Sequence, residues 1–212
     1  MVMLRLPRTH DSWRIQATLA AQLGLKTTCI EKRGALDGTC LNVRCIPSKA
    51  LLHSSHMYYE AKHAFSHHGV KFSNVEIDLP AMMSQKDKVV SNLTRGIEGL
   101  FKKNKVTYVK RYGKFISLCE GKNIIIATGS DVKSLPGITI DEKKLVVVGA
   151  RYIGLEMGSV WGRLGFEVTV VEFGPDIVPS MDSEICKQFQ CPLEKLVLQA
   201  PVLNTLRKRA SL

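Results

Sequence analysis

Between Leu145 and Glu172 an apolar β-branched run, a glycine-bearing turn, a helix-compatible stretch and a second β-branched run follow one another. Neither Leu145–Val148 nor Val168–Glu172 alternates polar with apolar residues, the pattern of parallel strands covered on both faces. Between them, Tyr152 to Leu164 has helical periodicity and ends at Gly165. Parallel strands need a crossover connection, so this stretch predicts a βαβ unit and places the chain in the α/β class. Further strands are expected at Lys26–Glu31, Val106–Val109 and Lys122–Ala127, and helices at Ala17–Leu23, Pro47–His67 and Leu79–Lys103. From Cys191 onward Pro192 and Pro201 interrupt the pattern, and the remainder reads as a basic tail.

Composition excludes several function classes. With 45% apolar and 23% charged residues the chain can bury a core. It holds no apolar run near the ~18–20 residues of a membrane span. Met1 to Arg8 lacks the long apolar core of a secretory signal. The net charge of +11 is spread along the chain, with local concentrations at Lys102–Lys105, Lys110–Arg111 and Arg207–Arg209. No aromatic residues interleave with these clusters as a base-stacking platform requires, so neither a nucleic-acid nor a membrane partner is expected. A salt-sensitive anion-binding tail at 205–212 is the weaker alternative.

Six scattered cysteines do not form a secreted disulfide framework. One pair stands out, in Gly38-Thr-Cys40-Leu-Asn-Val-Arg-Cys45-Ile-Pro-Ser-Lys49. Two cysteines at this spacing can close a strained, reducible disulfide across a distorted helical turn, and a helix running on from Cys45 would favour the thiolate. The spacing alone fits a metal half-site or an accidental pair equally well. No metal site is expected.

The surrounding residues extend the reading. The string from Cys40 to Leu51 closely resembles the active-site segment of the pyridine nucleotide–disulfide oxidoreductases, the dihydrolipoamide dehydrogenases in particular. Ala21–Gly24, Cys29–Lys32, Ala127–Ser130, Pro136–Glu142, Gly158–Trp161 and Val171–Phe173 resemble further segments of that family, in the same order, over about residues 14 to 190. The resemblance implies a three-layer FAD/NAD(P)-binding Rossmann-like fold in an incomplete two-domain arrangement. A partial flavin domain would span 1–142, a partial NAD-binding βαβ unit 143–190, and a divergent tail 191–212. It implies Cys40 as the interchange thiol, Cys45 as the thiol facing the flavin, and Lys49 near the flavin. Glu31 would accept the flavin's ribose hydroxyls, with a solvated strand-end acid as the plain alternative; Thr128 and Gly129 would form a second flavin-contacting turn. The implied cofactors are FAD and NAD, the implied partners the lipoyl groups of 2-oxo acid dehydrogenase complexes, and the implied location the mitochondrial matrix.

Val146 to Gly154, followed by Glu172 at the end of the next strand, has the layout of a dinucleotide fingerprint. Gly149 would make the tight turn, Gly154 would allow helix–strand packing, and Glu172 would hold the ribose. Arg151 stands at the middle position, where a glycine lets the backbone touch pyrophosphate. Its side chain is expected to obstruct that approach, although a guanidinium also attracts phosphate, so NAD binding is expected to be weakened or lost.

Other departures from the family point the same way. Arg8, His10 and Trp13 fall where the flavin turn should carry glycines, and the first strand reads as poor. Asp37 and Arg44 replace glycines beside the cysteines. The chain is short at 115–123 and at 142–144, and the interface domain with its proton-relaying histidine has no counterpart. These departures lead to the expectation of impaired turnover and of a monomer or a poorly folded chain, where the family forms homodimers. A non-catalytic truncated relative, acting at most as a redox-sensitive or partner-binding protein, is the alternative.

Overall fold

The computed structural model describes residues 2–5, 12–31, 35–111, 122–126 and 145–196. The chain forms two compact units, one of Met1–Lys49 with Met83–Gly137, the other of Ala50–Met82 with Ile138–Leu212.

The first unit is built on a four-stranded parallel sheet of order β3-β2-β1-β4, with β1 at Val2–Arg5, β2 at Thr28–Glu31, β3 at Thr107–Lys110 and β4 at Ile124–Ile126. The first strand, which looked poor in the sequence, lies inside the sheet and pairs with both β2 and β4. Hydrogen bonding from two neighbours overrides the weak local signal of Val-Met-Leu-Arg. In register, Arg5, Glu31 and Lys110 finish their strands side by side. The crevice outside such carboxyl ends is where open α/β sheets bind ligands.

Helix α1, Ser12–Gln22, presses Ala17 into the core. Two helices follow, the short α2 at Thr39–Asn42 and the longer α3 at Cys45–His63, and after a 3-10 turn at Phe65–His68 comes α4 at Leu79–Lys103. Asp78 caps α4, its Oδ1 accepting from the Ala81 N–H at 2.9 Å. Ile97 and Phe101 of α4 join Cys29, Leu36, Leu41 and Val106 in one buried cluster, with Ile46 and Tyr108 packed against it. The residues on either side of the cysteine turn are therefore anchored in the core.

The second unit contains the expected βαβ: β5 at Leu145–Val148, α5 at Tyr152–Arg163 and β6 at Val168–Val171, the strands parallel. Ala150, Leu155, Val168, Val170, Ile177 and Val178 form its core, with Trp161 and Leu193 against it. One expectation fails here. β5 is not covered on both faces: Val146 and Val148 are 53% and 55% exposed, while Leu145 and Val147 face the core. The sheet has only two strands among the described residues, and α5 packs against both.

A second expectation also fails. Helix α6 runs from Ser183 to Leu196 straight through Pro192, with Cys186 buried and Leu193 against the core. A proline inside a helix costs about 3 kcal/mol, and the packing of the turns on either side offsets it. Residues 197–212 of the expected tail lie outside the described residues. No helix among the described residues is long and apolar enough to cross a membrane.

Candidate functional site

In the first unit the cysteine segment breaks into two helices, not one distorted turn. Val43, with φ −134°, ends α2, and Cys45 begins α3. The Val43 and Arg44 N–H groups both donate to the Thr39 carbonyl, at 3.0 and 2.8 Å, closing the bend between the two sulfurs. Cys40 is half-buried on α2, Cys45 is exposed at the head of α3, and both are thiols. Lys49 is exposed one helical turn beyond Cys45, on the same face of α3. Ser48 locks that first turn, its Oγ donating to the Cys45 carbonyl at 3.2 Å.

Two side chains to which the sequence alone gave no role hold this bend. The Asn42 amide donates to the carbonyls of Leu36, Asp37 and Gly38, each at 3.1 Å, tying α2 to the segment before it. Asp37 adopts φ +81°, a left-handed conformation that explains why glycine suits this position and why Asp, which tolerates it, can replace glycine. Its buried carboxylate lies 3.4 Å from the Arg14 guanidinium. The polar type of Asn42 inside the motif was the only available signal, because the carbonyls it serves belong to an irregular segment.

Glu31 ends β2 and is fully buried. This overturns the alternative of a solvated strand-end acid. Thr128 and Gly129 lie outside the described residues, as do Arg8 and His10.

In the second unit the fingerprint folds as its spacing predicts. Gly149 takes φ +99° after β5, and its N–H donates to the Val171 carbonyl at 2.8 Å. A Cβ on Gly154 would strike the Gly149 carbonyl oxygen and reach within 2.9 Å of Val147 Cγ1, so α5 can approach β5 this closely only without one. Arg151 precedes α5 at φ −79° and ψ 168°, with its side chain exposed. Glu172, just past β6, is gripped by backbone. Its Oε2 accepts from the Ala150 N–H at 2.6 Å, and its Oε1 from the Phe173 and Gly174 N–H groups at 2.9 and 3.0 Å.

These bonds hold the Glu172 carboxyl below its ordinary range. The Gly174 N–H contributes most, burial opposes it, and the Ala150 and Phe173 N–H groups and the Arg151 charge add to the lowering. A depressed folded-state pKa contributes stability that is present above the unfolded-state value and lost as pH falls through the folded one. Glu172→Gln keeps one accepting oxygen but turns an amide NH2 toward the backbone N–H donor or donors on the other side. It is expected to cost about 1 kcal/mol at neutral pH, with the gap to the parent closing in acid. Urea melts of both proteins from pH 7 to pH 3 measure this, and a gap that widens in acid contradicts it.

The fold thus defines a class, an α/β protein of the FAD/NAD(P)-binding Rossmann kind. The sequence profile described as pyridine nucleotide-disulphide oxidoreductase matches residues 15–200. The chain is 70% identical over 211 residues to the mitochondrial dihydrolipoyl dehydrogenase of Pisum sativum, covering 85% of this chain and 42% of that protein. It is 67% identical to a leghemoglobin reductase of Vigna unguiculata, covering 85% of this chain and 40% of that one. Among solved structures, the Cu(II) complex of the HOCl-induced flavoprotein disulfide reductase RclA from Escherichia coli superposes with a TM-score of 0.73 at 20% identity. That match covers 97% of this chain and 49% of the other. The chain belongs to the pyridine nucleotide–disulphide oxidoreductase family, whose members use FAD and NAD(P). It spans about two-fifths of the length of the curated relatives it matches.

Proposed function

We propose that this chain carries the thiol- and flavin-facing part of a dihydrolipoyl dehydrogenase-type reaction, and that its own turnover with NAD is impaired. In this reading residues 1–142 are the flavin portion and 143–190 the nicotinamide portion, with α6 continuing past the expected start of the tail at 191. The supporting observation is the bend at Cys40–Cys45, with two thiols flanking a helix break and Lys49 one turn beyond. In the reaction the two thiols of a dihydrolipoyl group give up two electrons and two protons to the Cys40–Cys45 disulfide. The products are the cyclic lipoyl disulfide and two cysteine thiols. Bound FAD supplies the onward two-electron chemistry.

Cys40 on α2 is the thiol proposed to meet substrate, and Cys45 the one proposed to face the flavin. Glu31 would accept ribose hydroxyls, and Thr128 and Gly129 would form a second contact. The proposed partners are lipoyl groups of 2-oxo acid dehydrogenase complexes, in the mitochondrial matrix, with a homodimer as the assembly of the whole family protein. The names of two similar plant relatives, both mitochondrial dihydrolipoyl dehydrogenases, support the mitochondrial reading.

The test is a visible spectrum before and after dithionite, with release of flavin on denaturation. Bound flavin bleached by dithionite is the expected result, and a colourless protein releasing none overturns the reading. In flavin-loaded protein, Cys45→Ser should abolish the two-thiol change between oxidised and reduced forms in a thiol count, leaving flavin content unchanged.

A further inference from the structure

The turn between β5 and α5 is bound by its own chain at three points. Gly149 donates to Val171, Ala150 donates to Glu172, and the Val178 N–H donates to the Ala150 carbonyl at 2.8 Å. Glu172 is nearly saturated as an acceptor. A carboxylate offers about four lone-pair positions, and three backbone N–H groups already use it. A ribose diol brings two hydroxyl donors, so it can engage Glu172 through both only by breaking one of these bonds.

At the middle of the turn stands Arg151, where a dinucleotide fold leaves bare backbone for the pyrophosphate to approach. Its φ and ψ are ordinary extended values. The side chain is therefore accommodated without strain, and whatever it obstructs falls on the ligand and not on the fold.

We propose that this βαβ unit is closed to NAD by its own residues: Arg151 fills the pyrophosphate approach, and Glu172, bridging Ala150 to Phe173 and Gly174, keeps about one acceptor position where a ribose diol can use two. The proposal deepens the reading of residues 143–190 as the family's nicotinamide portion and assigns the impaired turnover to that portion, not to the cysteines. It makes Arg151 a specificity-determining residue that excludes the family's second cofactor while leaving the fold intact.

Calorimetric titration of the full chain with NADH tests it, for the parent, Arg151→Gly and Arg151→Ala. Arg151→Gly is expected to bind NADH at least about tenfold more tightly than the parent, equivalent to about 1.4 kcal/mol. Arg151→Ala, which keeps a Cβ, should improve binding less. Arg151→Gly should melt no higher than the parent, because the backbone here does not need glycine; tighter binding then reflects access and not a firmer fold. On NADH binding, at least one of the Ala150, Phe173 and Gly174 amides of Arg151→Gly should lose protection from hydrogen exchange as Glu172 turns to the ribose.

An Arg151→Gly protein that binds no better than the parent overturns the proposal. So does an Arg151→Ala protein that binds more weakly than the parent, which would make the guanidinium a phosphate ligand. If the Ala150, Phe173 and Gly174 amides all stay as protected in the complex as in the free protein, the part assigned to Glu172 is removed. None of these measurements needs flavin. A colourless protein sinks the proposed function and leaves this test readable, whereas a flavin-loaded chain in which Arg151→Gly gains nothing sinks only this one.

Discussion

Gly154→Val is expected to destabilise the βαβ unit by about 3 kcal/mol, the upper end of the usual cost of forcing extra atoms into packed space. Two effects of opposite sign compete. Replacing glycine inside a helix ordinarily gains up to about 1 kcal/mol of propensity, less for a β-branched residue. Against this, the first added carbon meets the Gly149 carbonyl oxygen, a backbone atom at the root of the turn that cannot swing aside, and then Val147 Cγ1. The collision outweighs the gain. Hydrogen exchange of the β5 and β6 amides measures it, and Gly96→Ala, followed through the α4 amides, is the control. Gly96 lies on an exposed stretch of α4 with nothing within 4 Å of its would-be Cβ, so that change should stabilise by up to about 1 kcal/mol. If both substitutions moved stability the same way, the close helix–strand approach would not be what Gly154 serves.

Gly154 also shows what the sequence could reveal. Its role was legible because a helix crossing a strand directly after a tight turn needs the same spacing wherever it occurs. The helix at Leu79–Lys103 was legible for a similar reason, since its apolar residues recur with one local period. What was not legible depends on neighbours distant in sequence. Whether Val-Met-Leu-Arg is a strand is decided by β2 and β4 on either side of it. Whether Leu-Val-Val-Val is covered on both faces depends on how many layers pack against it, and only one face of β5 is covered. Pro192 reads as a helix stop in any local window, yet α6 continues because Cys186 is buried on one side of it and Leu193 packs against the core on the other.

The site divides along the same line. Its cysteines, Lys49 and the strand-end acids Glu31 and Glu172 could be named from motif and position. The contacts that set their behaviour could not. Glu172 was legible as an acid after a strand, but its capture by Ala150, Phe173 and Gly174 depends on where the turn and the following loop come to lie. Asn42 carries no charge and no catalytic chemistry, and its three carbonyl partners belong to residues whose backbone follows no regular pattern.

Phe101→Ala is expected to destabilise the first unit by about 3–5 kcal/mol, the usual cost of removing a fully buried aromatic ring. The ring is 2% exposed and meets Tyr108 edge-on with centroids 6.5 Å apart. Its cluster also contains Leu36 and Leu41, which flank Asp37 and Cys40, and Ile46 beside Cys45 packs against the same cluster. The cavity therefore opens beneath the segment that carries the redox pair, and the loss of stability should be readable in thiol chemistry. Cys29, fully buried in this cluster, is shielded in the parent, whereas Cys45 is already exposed. Reaction with a bulky disulfide reagent in native buffer should leave Cys29 essentially unlabelled in the parent and label it readily in Phe101→Ala, through transient opening. The Cys45 rate should change far less, since no opening is needed to reach it. If Cys29 stayed as protected in the variant as in the parent, the ring would not be what holds this core, nor the cysteine bend, in place.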